Sequence, residues 1–179
     1  TVFIKIQRGS ESKMQAVLDN LQRWANINNM SLNTTKTKDM WICFLSVGIS
    51  EPERLKLSNV EIERVQTFKL LGVWQQDNLR WNHHINETVK KANKRLHYLR
   101  DCRKAQLPPD VGTTVYCTKI RPLLEYASPV WGGLPDYLAK EIQRVQNRSL
   151  DIIGVPRDSL PALEQKRDTL RAEISYVLT

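Results

Sequence analysis

Met14, Val17, Leu18, Leu21, Trp24 and Ala25 recur at intervals of three and four, the spacing that lines one face of an α-helix. Ser12 and Gln15 form a capping box at its start and Asn28-Asn29 closes it, so the stripe predicts a core-facing helix. Ahead of it, Thr1-Val2-Phe3-Ile4-Lys5-Ile6 predicts a strand over residues 1–7, broken by Gly9 and Ser10. A chain that opens inside a strand reads as a piece of something longer, with an edge lacking its partner and prone to aggregate. The polar loop Thr34-Thr35-Lys36-Thr37-Lys38 leads to the apolar run Met40-Trp41-Ile42-Cys43-Phe44, a predicted buried strand. Residues 47–58 are polar and irregular around Pro52. Val60 and Ile62 alternate with charge and predict a strand, residues 68–74 predict another, and residues 63–67 are short enough to join the two as a hairpin.

From Trp81 onward every apolar pattern is helical. Asn82 is placed to cap a helix bearing Ile85, Val89, Ala92, Leu96 and Leu99 on one face. Pro108-Pro109-Asp110 ends it and begins a second helix with Val111, Val115, Tyr116 and Ile120, interrupted at Pro122. Residues 123–131 read as a kinked continuation, and Gly132-Gly133 and Pro135 as a loop. Leu138, Ile142, Val145, Ser149 and Ile152 define a third long helix, ended by Gly154 and Pro156; Leu163, Leu170, Ile174 and Val177 suggest a last one. The expected fold class is α+β: one helix with short antiparallel strands over residues 1–78, then an all-helical bundle over residues 79–179.

Charge sharpens this picture. Lys and Arg number 27 against 19 acidic residues, a net charge of +8, which attracts polyanions and nucleic acid above all. Seven of these cations, Lys90, Lys91, Lys94, Arg95, Arg100, Arg103 and Lys104, fall in one 15-residue stretch opposed only by Asp101. Such a run is ordinarily a solvated helix face. Its uniform sign also suits it to follow a phosphate backbone without reading bases. Cys43, Cys102 and Cys117 are odd in number and far apart, so no disulfide framework or zinc spacing is expected, and scattered thiols fit a reducing intracellular compartment. No apolar run of membrane-spanning length and no signal peptide is visible. His83-His84 point to different faces of a helix and lack a third ligand, so no metal site is expected. The five tryptophans are core candidates, with Trp74 or Trp81 the ones placed to stack on a base or sugar.

Two ordered stretches carry a family resemblance. The first is Leu21-Gln22-Arg23-Trp24-Ala25, Asn29-Met30-Ser31-Leu32-Asn33 and Lys36-Thr37-Lys38. The second runs from Phe68-Lys69-Leu70-Leu71-Gly72-Val73 through Leu79-Arg80-Trp81-Asn82-His83-His84-Ile85 and Lys90-Lys91-Ala92-Asn93-Lys94-Arg95-Leu96. It continues to Tyr116, Ile120-Arg121-Pro122-Leu123-Leu124-Glu125-Tyr126-Ala127 and Pro129-Val130-Trp131, then to Leu138, Ile142, Val145-Gln146 and Arg148. Over residues 1–155 this series resembles the end of the palm and the thumb of reverse transcriptases from LINE-type, non-LTR retrotransposons.

The resemblance implies an RNA-directed DNA polymerase lineage with residues 1–78 as palm and 79–179 as thumb. It implies Lys36 as a motif D general acid and Phe68, Lys69, Leu70, Leu71, Gly72 and Val73 as a primer grip. It further implies Mg2+ in a full-length parent, and an RNA template with a DNA primer as partners of the basic helix. The chain departs from the pattern in one respect: it holds no Asp-Asp pair, and Asp77, Asp101, Asp110 and Asp136 stand alone. Two-metal phosphoryl transfer needs paired carboxylates holding ions about 3.5–4 Å apart, so the chain is expected to be inactive by itself. The competing expectation is a non-catalytic helical module that binds nucleic acid or a protein.

Overall fold

The computed structural model describes residues 1–7, 10–44, 51–165, 167–169 and 172. The chain is α+β and divides into two compact units, Thr1–Arg80 and Trp81–Thr179.

In the first unit, α1 spans Met14–Ile27. Among the described residues, six strands of two to four residues follow: β1 (Lys38–Asp39), β2 (Lys56–Leu57), β3 (Val60–Glu61), β4 (Glu63–Arg64), β5 (Thr67–Leu70) and β6 (Val73–Gln76). They pair two by two, β2 with β3 and β5 with β6 antiparallel, β1 with β4 parallel. Both antiparallel pairs turn through two residues of positive φ, Ser58-Asn59 (52° and 64°) and Leu71-Gly72 (46° and 87°). Two left-handed residues in succession match the right-handed twist of a hairpin. The segment expected as one strand over 68–74 is therefore folded back on itself, and the hairpin turn lies at Leu71-Gly72 rather than in residues 63–67.

Residues 1–7 form no strand, because no described segment supplies the ladder partner that their backbone groups need; Gly9 lies outside the described residues. Residues 40–44 form none either, since pairing is made two residues earlier, at Lys38-Asp39 against Glu63-Arg64. There Arg64 Nε donates to Asp39 Oδ2 at 2.7 Å, while its Nη1 and Nη2 donate to the carbonyls of Pro52 and Glu53, so one guanidinium ties the 51–53 loop to the strand pair.

The capping box is also not made. Ser12 Oγ accepts from Met14 N–H at 3.3 Å, but the Gln15 amide accepts from Lys56 N–H and donates to Lys56 O at 2.9 and 2.8 Å. That side chain thus completes the edge of β2 as a neighbouring strand would. Of the α1 stripe only Ala25 is buried, and Leu21 and Trp24 are exposed, since a two-residue strand is too small to cover the face. The small core of this unit is Ala25, Leu57, Ile62 and Val73.

The second unit holds α2 (Asn82–Lys104), α3 (Pro109–Val115), a π-helical turn (Tyr116–Ile120), α4 (Arg121–Glu125), α5 (Ser128–Trp131) and α6 (Asp136–Ile153). Ile85, Ala92, Leu96 and Leu99 of α2 are buried, as are Leu138, Ile142 and Val145 of α6, the helix with which α2 packs most extensively. Asn82 is the first helical residue rather than the cap, which is Trp81, and no side chain caps the helix. Pro122 does not break the helical path. The wide turn just before it accommodates a residue that cannot donate and whose ring would crowd the preceding carbonyl. Ala127 adopts a left-handed φ of 53°, and the Trp131 indole N–H donates across that bend to Tyr126 O at 2.8 Å. Gly154 (φ 88°) ends α6. Leu163 is helical and fully buried; Leu170, Ile174 and Val177 of the expected last helix lie outside the described residues.

Candidate nucleic-acid interface

A helix of 3.6 residues per turn sets the azimuth of each cation on α2. The buried stripe of Ile85, Ala92, Leu96 and Leu99 fixes the inward direction. Lys90, Lys94 and Lys104 lie on the opposite side with Asp101, Lys91 and Arg95 on one flank, and Arg100 on the other. Arg103 follows the line of the stripe but lies beyond its last buried member and is exposed. Apart from Arg103, the cations thus form a band about 21 Å long around the outer side and flanks of the helix, rather than a single face.

The structure sorts these cations by what else they touch. Lys90 Nζ is 2.9 Å from Glu87 Oε1 and so is partly neutralised. The Lys90 ammonium, by hydrogen bond first and then by charge, holds the Glu87 carboxyl below its usual range. Arg95 Nη1 donates to Lys119 O at 2.6 Å, tying α2 to the π-helical turn. The side chains of Lys91, Lys94, Arg100, Arg103 and Lys104 are exposed and bond to no described group. They remain available to phosphates.

Arg148 of α6, which the sequence placed only within the family resemblance and not in the basic cluster, joins the band. Its Nη1 donates to Asn93 Oδ1 of α2 at 3.3 Å. Only packing of α6 on α2 reveals this, because the two residues are far apart in sequence.

His83 and His84 lie in the first turn of α2. His84 is buried, with Trp81 and Trp131 at ring-centroid distances of 6.3 and 5.6 Å. Burial, and then the charge of Lys91, push its pKa below the ordinary histidine value. Among the described residues no three His, Cys, Asp or Glu side chains are gathered to hold a metal.

Lys36 and the 68–73 segment are in the first unit. Lys36 is exposed in a turn whose N–H donates to Asn33 Oδ1 at 2.9 Å. Phe68 and Leu70 are half-buried and Val73 is buried in the β5–β6 hairpin, whose turn is Leu71-Gly72. Lys69 Nζ lies 5.8 Å from the centre of the Trp74 ring, a cation–π contact across the strands.

Residues 81–120 match the family model described as alkylated DNA repair protein alkB homolog 8, N-terminal. No curated protein and no solved structure matches the chain. The matched stretch contains Trp81-Asn82-His83-His84-Ile85 and the Lys90–Leu96 run on which the reverse-transcriptase resemblance leaned. The match overturns that resemblance, and with it the reading of the chain as a retrotransposon polymerase fragment. The roles assigned to Lys36 as general acid and to Phe68, Lys69, Leu70, Leu71, Gly72 and Val73 as primer grip rested on the same resemblance and lose their support.

Proposed function

We propose that the helical unit is a non-catalytic nucleic-acid-binding module that grips the phosphate backbone with the outer band of α2. The observation that carries this reading is the exposure of Lys91, Lys94, Arg100, Arg103 and Lys104, none of whose side chains bonds to a described group, on a helix whose other side is locked into the core. A cation already paired inside the protein gains little from a phosphate, whereas a free one releases the counterions that a polyanion has condensed. Arg148 extends the band onto α6.

The similarity of residues 81–120 to a segment of a protein named for the repair of alkylated DNA agrees with nucleic acid as the partner. Lysine ammoniums and arginine forks on one helix contact the backbone and carry no base information, so binding is insensitive to sequence. Fluorescence anisotropy of the whole chain with labelled duplexes of unrelated sequence tests the reading. The expected dissociation constants are about 1–100 µM near physiological salt and nearly equal among sequences. Absence of binding at low salt would exclude it.

A further inference from the structure

Arg167 is 4% exposed, yet among the described residues its Nη1 has no hydrogen-bond partner. Its guanidinium carbon sits 5.8 Å from the centre of the fully buried Trp131 ring. Arginine stays charged in proteins and carries five donors in a planar fork, so a buried guanidinium with an idle nitrogen is an incomplete arrangement. Burial lowers its pKa, and Glu164 and Asp168 oppose that shift through charge alone. Neither carboxylate is within ion-pair distance of it.

Beside this side chain opens a pocket of about 330 Å3. Asp136, Ala139, Lys140 and Gln143 line it from one side of α6, and Ala162, Glu164 and Arg167 from the segment that crosses it. The spacing 136, 139, 140 and 143 is one helix face, so the pocket has a rigid wall. Gln143 is already positioned: its Oε1 accepts from Leu163 N–H and its Nε2 donates to Asn147 Oδ1. The volume lies at the lower end for small-molecule pockets and is too small for a polymer.

We propose that this pocket binds a small molecule through its oxyanion, a carboxylate or a phosphate, with Arg167 and Lys140 as the cationic partners. Pairs of carboxylate or phosphate oxygens match the arginine fork in two-point contact. Asp136 and Glu164 set the rest of the chemistry. Their two negative charges balance the two cations, disfavour ligands of high negative charge, and offer acceptors to hydroxyl or amino groups on the same molecule. The site is separate from the α2 band, and its ligand need not be nucleic acid.

Trp131 provides the reporter, because its indole N–H is held by Tyr126 O and its ring carries the Arg167 guanidinium. The assigned Trp131 indole resonance of the isotope-labelled chain is followed during titration with inorganic phosphate, with acetate, and with chloride at matched ionic strength. A saturating shift is expected with phosphate or acetate and not with chloride, and the tighter of the two identifies the preferred oxyanion. The shift should vanish in Arg167→Gln and persist when Lys91 and Lys94 are changed to alanine, which separates this site from the α2 band.

Lys140→Gln, at an exposed position, should weaken saturation several-fold and serves where Arg167→Gln does not fold. The proposal is overturned if neither oxyanion moves the Trp131 resonance. It is equally overturned if folded Arg167→Gln responds as the parent does, or if Lys140→Gln binds with unchanged affinity.

Discussion

The Tyr116 hydroxyl donates to Gln146 Oε1 at 2.8 Å, joining the π-helical turn to the middle of α6 with both side chains wholly buried. Gln146 Nε2 donates in turn to Pro161 O at 3.2 Å, so one amide links three segments of the helical unit. Tyr116→Phe leaves the Gln146 oxygen buried without its donor and should cost about 1–3 kcal/mol. Changing both residues to apolar ones of similar shape should cost less than the sum of the single changes, which denaturant unfolding of the four proteins measures.

The same phenol gives the fold an alkaline limit. Burial, foremost, pushes the Tyr116 pKa far above the ordinary tyrosine value. The folded state therefore favours the protonated phenol. Its contribution is complete below about pH 10 and declines as pH rises past the unfolded value. The stability of Tyr116→Phe should fall less steeply than that of the parent between about pH 10 and 11.5.

His84 acts in the opposite pH range. Desolvation between Trp81 and Trp131, with Lys91 adding repulsion, depresses its pKa, so the unfolded chain binds a proton that the folded chain resists. Stability is complete above about pH 6.5 and is lost as pH falls toward the folded value. His84→Phe, which keeps an aromatic ring between the two indoles, should flatten the dependence of the unfolding midpoint between pH 5 and pH 7, within about that window. An unchanged slope would show that His84 is not the group responsible.

Two glycines separate backbone strain from packing. A Cβ at Gly154 would meet nothing within 4 Å, but the φ of 88° is one that L side chains rarely adopt, so Gly154→Ala should cost about 1 kcal/mol through the backbone alone. A Cβ at Gly112 would stand 3.1 Å from both Cγ1 and Cγ2 of Ile153. Isoleucine is stiff at χ1 and cannot swing both atoms away. Gly112→Ala should therefore destabilise despite better helix propensity, and Ile153→Ala should relieve that penalty in the double variant. Thermal unfolding of the variants distinguishes the two mechanisms.

The helical unit was largely legible in the sequence, because long stripes such as Ile85, Ala92, Leu96, Leu99 and Leu138, Ile142, Val145 bury one face against another helix. The first unit was not. Its strands are two to four residues long, shorter than any reliable alternation, and are fixed by side chains distant in sequence, such as Gln15 on Lys56 and Arg64 on Asp39. The hairpin turn at Leu71-Gly72 was obscured by an apolar residue in a left-handed position, where a polar or glycine residue is the usual sign. The basic band was visible as composition. The division of its members into paired cations, Lys90 and Arg95, and free ones depended on Glu87 and the Lys119 carbonyl and appears only in three dimensions. The buried Arg167 left no trace in periodicity, since its burial depends on Trp131, far from it in sequence.

Changing four of the five free cations, Lys91, Lys94, Arg100 and Lys104, together to alanine tests the nucleic-acid reading most directly, with binding to a duplex followed across a salt series and circular dichroism confirming the fold. Each phosphate that the variant no longer neutralises flattens the plot of log K against log salt by about 0.9, so the slope should fall by up to about 3.6. Changing Lys90 and Arg95, already engaged by Glu87 and the Lys119 carbonyl, should reduce the slope far less. A folded quadruple variant that binds with the parent's slope would show that the α2 band is an ordinary solvated face, and would contradict the proposed function.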